Sequence, residues 1–234
     1  MIVTVLAQLK LRDRATESSC VEDNGFCPSW IADNLDRYKR PLIEHIELTL
    51  IAVVIGFAIA FSLALLAHRR RWLVPPITQI TGILYTLPSV AVFFLLLPLT
   101  GRGKVTALIA LVSYSLLIIF RNIITGLDNV PEESKDAARG MGLTDHQLLW
   151  RVEIPLALPA IIAGVRIATV TTVALATLAF FGGAGGLGAA INADIDFKSN
   201  VAVAGGLAIL LALVLDVLLL EVERWRTPWR RARA

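Results

Sequence analysis

The chain has 234 residues, of which 56% are hydrophobic and only 18% are charged. A soluble domain of this size usually carries about 25% charged residues. The apolar residues also form long blocks without an amphipathic period, which argues against the buried helices of a large soluble protein. The net charge of +3 comes from basic residues beside these blocks, and it gives no case for nucleic-acid binding.

Five blocks are long enough to cross a membrane, because about 20 apolar residues span a ~30 Å hydrocarbon core. The fourth block contains one charged residue, Arg166, and the fifth also contains one, Asp216. We therefore predict an all-α membrane protein with a transmembrane domain at 48–220, whose helices lie at about 48–67, 76–99, 105–121, 156–181 and 200–220.

Basic residues are distributed unevenly between the two sides of these helices. Arginines follow the first span, four basic residues lie between the third and fourth spans, and five arginines follow the fifth. The loops on the other side hold only three basic residues. The positive-inside rule therefore places the segment 128–155 and the basic tail 221–234 in the cytoplasm, and the N-terminal segment 1–47 outside.

The N-terminal segment contains both cysteines of the chain. Cys20 and Cys27 flank an Asn-Gly turn signal, and an oxidising outer space favours a small disulfide loop between them. Two free thiols in a mobile tail are the alternative, and a metal site needs more ligands than the segment offers. Apolar residues at helical spacing over 29–47 predict a helix along the outer membrane surface, with Trp30 and Tyr38 at the lipid headgroups.

The second and third spans contain polar and helix-breaking residues. A proline inside a membrane helix frees a carbonyl that a nearby Ser or Thr can bond, so a kink is expected at Pro88. One interpretation is that these residues line a polar path, and the other is that they serve helix packing. The candidates for the path are Gln79, Tyr85, Pro88, Ser89, Ser113 and Tyr114.

The two charges inside the fourth and fifth spans lie at a similar depth. Arg166 and Asp216 are each about seven residues from the predicted cytoplasmic end, which is roughly 10 Å at ~1.5 Å per residue. Because a lone charge at this depth is costly, an ion pair within one subunit or across a dimer is predicted. The alternative is that each side chain reaches the cytoplasmic surface separately.

No pattern for nucleotide binding or catalysis is present in the sequence. Gly183, Gly185 and Gly188 fit G-x-G-x-x-G, but that fingerprint requires a preceding strand, and a membrane helix precedes it here. The glycines are interpreted instead as a tight outer loop that could dock an extracytoplasmic partner. The three histidines lie in different segments, and His68, beside three arginines, is interpreted as part of a solvated flank.

The segment 128–155 is predicted to form two short helices joined by a glycine elbow. The first should cover Pro131–Arg139, because proline suits the first helical turn. Gly140 and Gly142 can supply the left-handed backbone that ends it. The second should begin at Thr144 in a capping box and end before Pro155, since the residue before a proline is pushed out of helical geometry.

This segment resembles the signature of permease subunits of bacterial ATP-binding-cassette importers, which reads Glu-Ala-Ala, three residues, Gly, nine residues, Ile-x-Leu-Pro. The spacing is intact, with Asp for Glu, Val for Ile and Ile for Leu, and the matching residues are Asp136, Ala137, Ala138, Gly142, Val152, Ile154 and Pro155. Further stretches resemble the glycine betaine/carnitine/choline (osmoprotectant) branch, over roughly residues 42–230. The cysteine-bearing N-terminal extension departs from the short tail expected of that branch.

The resemblance implies a type I importer permease in the bacterial cell membrane. Two permease subunits would form the solute path, separate ATPase subunits would hold ATP and Mg²⁺, and an extracytoplasmic solute-binding protein would deliver the cargo. No cofactor is expected on this chain. The cargo would be an osmoprotectant such as glycine betaine, carnitine or choline, or alternatively an amino acid or another small solute. The residues expected to contact the ATPase are Asp136, Ala137, Ala138, Gly140, Gly142, Val152, Ile154 and Pro155.

Two other classes of membrane protein fit the sequence less well. A membrane-embedded enzyme would need acid, base or metal-binding residues converging near the membrane surface, and the sequence lacks such a set. A carrier that works without ATP usually has internal repeats and more spans. Five spans without a repeat argue against such a carrier.

Overall fold

Residues 19–227 are described by a computed structural model of the chain, and within this range every regular element is a helix. The first 18 residues of the expected outer segment and the last seven of the expected basic tail lie outside it. The α-helices, numbered in chain order, are α1 Pro28–Asn34, α2 Lys39–Arg69, α3 Val74–Thr86, α4 Ser89–Thr100, α5 Lys104–Asp128, α6 Glu132–Gly140, α7 Asp145–Leu148, α8 Ile154–Ala176, α9 Leu187–Ala193 and α10 Lys198–Arg226.

Four stretches of the described chain are long and apolar enough to cross a membrane, and a bent helix pair could supply a fifth crossing. The four stretches are Pro28–Arg69, Lys104–Asp128, Asp145–Ala176 and Lys198–Arg226. The fourth span was expected to continue to about 181, but α8 ends at Ala176 and a 3₁₀ turn follows at Ala179–Gly182.

The second predicted span is a broken helix rather than one kinked helix. The segments Arg71–Thr86 and Ser89–Thr100 meet at 98°. Leu87 is extended, with φ −62° and ψ 138°, because the ring of Pro88 disfavours helical geometry at the preceding residue. Pro88 was therefore correctly predicted as the point of bending, but its effect is a complete interruption of the helix.

Helix α5 forms the centre of the bundle, packed between α2 and α8. Large apolar side chains of α5 are fully buried there, among them Ile119, Phe120, Ile123 and Leu127. Small residues allow close approach on both sides: a Cβ on Gly164 of α8 would lie 2.4 Å from that of Asn122. Such small-residue contacts are typical of helices that associate without a hydrophobic driving force between them.

Candidate functional site

The segment between α5 and α8 forms an elbow of two short helices. Helix α6 begins after Pro131 and has Glu132 in its first turn, where a carboxylate favours the positive end of the helix dipole. Lys135 and Arg139 contact that carboxylate at 3.1 and 3.2 Å, and Arg139 also lies 3.1 Å from Asp136. The hydrogen bond from Lys135 is the main reason that the pKa of Glu132 lies below its usual value.

The elbow is a Schellman motif centred on Gly142. This glycine has φ +81°, its N–H donates to the Arg139 carbonyl at 2.9 Å, and the N–H of Leu143 donates to the Ala138 carbonyl at 3.2 Å. The prediction that Gly142 supplies the left-handed backbone is confirmed. The same prediction was wrong for Gly140, because Gly140 is the last residue of α6 and has no positive φ.

The second short helix begins as predicted but does not end where predicted. Thr144 N–H donates to Gln147 Oε1 at 3.0 Å and Gln147 N–H donates to Thr144 Oγ1 at 3.3 Å, which confirms the capping box. The helix then passes through a π turn at Leu149–Glu153 directly into α8. Pro155 follows directly on the π turn, which lets the helix continue through it, so the expected stop at Pro155 was wrong.

The residues of the signature divide into an exposed and a covered set. Ala138 is 1% exposed and Val152, Ile154 and Pro155 are half-buried, so they hold the elbow to its own chain. Met141, which the signature does not include, is 74% exposed at the tip. We call the exposed surface around this tip the elbow face; it consists of Asp136, Ala137, Gly140, Met141 and Gly142.

His68 joins the first span to the π turn. Its Nε2 lies 2.9 Å from Glu153 Oε2, and the two side chains are only 14% and 8% exposed. The interpretation of His68 as part of a solvated flank was therefore wrong: it is the last-turn residue of α2 that faces inward beneath the arginines. The sequence signal that could have located this pair is Glu153 itself, a carboxylate in an otherwise apolar stretch before α8.

The two charges of the last spans meet in the structure. Arg166 Nε and Nη2 donate to the two carboxylate oxygens of Asp216, both at 2.9 Å. Glu223, about two helical turns further along α10, lies 3.6 Å from Arg166 Nη1. The guanidinium is therefore placed between two carboxylates of one neighbouring helix, an arrangement that suits a charge in an apolar setting.

Two of the candidate path residues, Tyr85 and Tyr114, meet beside the break between α3 and α4. Tyr114 on α5 donates its hydroxyl to the Leu87 carbonyl at 2.6 Å, and its ring lies 6.1 Å from that of Tyr85. The Ser113 hydroxyl donates to the carbonyl of Ile109 in its own helix. Of the remaining candidates, Gln79 on α3 and Pro88 between α3 and α4 are exposed, and Ser89 at the start of α4 is half-buried.

The N-terminal segment packs on the start of α10. Cys20 and Cys27 form a disulfide, and the Cys27 N–H donates to Ser199 Oγ at 2.7 Å. Tyr38 is 2% exposed and donates its hydroxyl to Asn200 Oδ1 at 2.7 Å. The expectation that Tyr38 faces the lipid headgroups was wrong, because the buried amide of Asn200 binds its hydroxyl group.

Solved structures with this fold are membrane transporters. A chain of the MetNI methionine ABC transporter, in an inward-facing conformation, matches with a TM-score of 0.72 and 21% identity over 81% of this chain and 96% of that chain. A chain of an amino acid ABC transporter crystallised with histidines matches with a TM-score of 0.69 and 18% identity, over 83% and 96%. The fold is that of type I ATP-binding-cassette importer permeases.

The sequence defines the family. Residues 50–225 match the family model of the inner membrane component of binding-protein-dependent transport systems, and the chain belongs to this family. Choline transport system permease protein OpuBB of Bacillus subtilis is 39% identical over 187 residues, 79% of this chain and 86% of that protein. Osmoprotectant import permease protein OsmW of Salmonella typhimurium is 38% identical over 206 residues, 85% and 96%. The chain is thus a membrane-embedded transport subunit rather than an enzyme.

Proposed function

We propose that this permease imports an osmoprotectant of the quaternary ammonium class, such as choline, glycine betaine or carnitine. The support is the similarity to transporters named for these solutes, at 38–39% identity for choline, glycine betaine/carnitine/choline and osmoprotectant permeases. Import of an amino acid is the second candidate, favoured only by the fold shared with methionine and amino acid transporters. The fold is common to both classes of cargo, so the sequence similarity carries more weight.

The elbow face is the proposed contact with an ATPase subunit that holds ATP and Mg²⁺. Its tip combines a large exposed apolar side chain, Met141, with Gly140 and Gly142, at which an added Cβ would meet no other described atom within 4 Å. Small residues around one apolar side chain allow a helix to seat deeply in a groove. A contact with the ATPase requires the elbow to lie in the cytoplasm, which agrees with the charge distribution of the sequence.

A force on the elbow has a direct route to the spans. The π turn makes α7 and α8 one continuous helical stretch, Asp145–Ala176, so a displacement of the elbow also displaces the fourth span. The His68–Glu153 pair ties the same turn to the end of the first span. We infer that closure of the ATPase subunits moves these two spans together and so switches access to the path.

The path itself is proposed to lie beside the broken helix, against a second permease subunit. Gln79 and Thr86 are exposed on α3, and Tyr85 is 39% exposed. Polar groups facing lipid are costly, so a water-filled path or a second subunit would cover them. At the end of the spans opposite the elbow, the disulfide-closed segment and the start of α10 would face the extracytoplasmic binding protein. In this arrangement, residues 48–220 form the transmembrane domain and residues 221–234 form the cytoplasmic tail.

Copurification with the ATPase subunit tests the elbow contact. A tagged permease with Gly142→Asp should lose a coexpressed ATPase, because a charged side chain then occupies the contact. Gly142→Asn is the matched control, since Asn has the size of Asp and a similar tolerance of the positive φ at this position but carries no charge. Retention of the ATPase by Gly142→Asp would exclude the proposed contact. Uptake of labelled choline, glycine betaine and an amino acid into vesicles that contain the binding protein separates the two cargo classes.

A further inference from the structure

Two adjacent residues near the start of α2 hold the glycine-rich loop 182–188. Glu44 Oε2 accepts a hydrogen bond from the Gly186 N–H at 3.2 Å, and His45 Nδ1 accepts one from the Leu187 N–H at 3.3 Å. These N–H groups lie at the start of α9, where a helix has no partner of its own for them. The loop and the first span are therefore joined by hydrogen bonds between residues that are 142 apart in sequence.

His45 also binds the end of the fourth span. Its Nε2 lies 3.1 Å from the Val173 carbonyl, which is left without its usual partner because the Thr177 N–H turns to Ala174 and Leu175. The Leu187 N–H is a donor and the Val173 carbonyl is an acceptor, so Nε2 carries the proton and Nδ1 is unprotonated. With 0% exposure, His45 is thus a neutral bridge between three elements.

The loop fits this position because several of its glycines leave no room for a side chain. A Cβ on Gly185 would lie 1.9 Å from Glu44 Oε2, and one on Gly188 would lie 1.8 Å from the Thr177 carbonyl oxygen. On its other side, the Gly182 carbonyl accepts the Gly103 N–H at 2.8 Å, in the turn between α4 and α5. The loop is consequently in contact with the first span, the fourth span and the turn after the broken helix.

We propose that Glu44 and His45 are positioning residues of the transport cycle. They fix the glycine-rich loop to the first span, so that the ends of the first and fourth spans and of the broken helix move as one unit when access switches. The inference rests on the proposed transport function, because the unit it defines lies at the end of the spans opposite the elbow. Neither residue needs to touch the cargo.

Three variants in the assembled transporter test this role. Glu44→Ala and His45→Phe remove the loop's hydrogen bonds while keeping the helix, and Glu44→Gln keeps an oxygen that can accept from Gly186. Lys39→Ala is the control, since Lys39 lies on the same helix and pairs at the surface with Asp36, at 2.7 Å. The readouts are solute uptake per ATP hydrolysed in proteoliposomes and hydrogen exchange over residues 183–190.

Glu44→Ala and His45→Phe should speed exchange of the loop about tenfold and lower uptake per ATP, because each removes at least one buried or partly buried hydrogen bond to the loop. Glu44→Gln and Lys39→Ala should behave like the wild type. Unchanged uptake per ATP in both Glu44→Ala and His45→Phe would overturn the proposal. A fall in uptake that is explained entirely by a smaller amount of assembled complex would also overturn it. If the wild type takes up no osmoprotectant, the cargo assignment fails, while the exchange rates still report on the loop.

Discussion

Neutralising Arg166 and neutralising Asp216 should destabilise the protein to different extents. Arg166→Gln leaves Asp216 and Glu223, two turns apart on α10, without the guanidinium that lies 2.9 and 3.6 Å from them. Loss of one partner of a buried pair costs about 3–5 kcal/mol, and partial exposure places this case near the lower end. Asp216→Asn leaves Arg166 beside Glu223 and keeps one acceptor oxygen, so the cost should be about 1–2 kcal/mol.

Thermal unfolding of the purified complex measures this difference. For a chain of this size, 1 kcal/mol shifts the midpoint by about 2–4 °C, so Arg166→Gln should lower it by about 6–12 °C and Asp216→Asn by roughly half of that or less. Reversal of both charges, Arg166→Asp with Asp216→Arg, should recover part of what either single reversal loses. Equal losses for the two neutral variants, together with no recovery in the double reversal, would refute the pairing argument.

Three further substitutions test other contacts. Glu153→Ala removes the partner of His68, so ATP hydrolysis should continue while uptake per ATP falls; unchanged coupling would show that the pair transmits nothing. Tyr114→Phe removes the hydroxyl that bonds the Leu87 carbonyl and should lower stability by about 1–2 kcal/mol, and a neutral effect would mean that another group caps this carbonyl. Cys27→Ser opens the disulfide and should cost about 2–3 kcal/mol by loop entropy, which reduction of the wild type should reproduce.

The sequence was sufficient for the features that depend on local chemistry. Hydropathy located the membrane-spanning blocks because chain length and bilayer thickness are directly linked. The capping box at Thr144 and the left-handed residue Gly142 were readable because each is determined by a few neighbouring residues. The spacing around Gly142 then led to the family, which the similarity over residues 50–225 establishes.

The features that sequence reasoning missed depend on contacts distant in sequence. Pro155 was expected to end a helix, but a π turn supplies the extra residue that lets the helix continue through it. His68 was assigned to solvent because its sequence neighbours are arginines, whereas the orientation of α2 turns it towards Glu153. Tyr38 was assigned to the membrane surface for the same kind of reason, and its partner Asn200 is 162 residues away.

The most direct test of the central claim is a crosslink from the tip of the elbow. A photoreactive residue in place of Met141, which is 74% exposed, should join the permease to the ATPase subunit when the complete transporter is irradiated. The same residue placed at Ile195, which is 62% exposed in the loop between α9 and α10 at the opposite end of the spans, provides the comparison. We expect an ATPase adduct from position 141 that Gly142→Asp abolishes. Irradiation products that contain only lipid or permease would contradict the assignment of the elbow as the contact that drives transport.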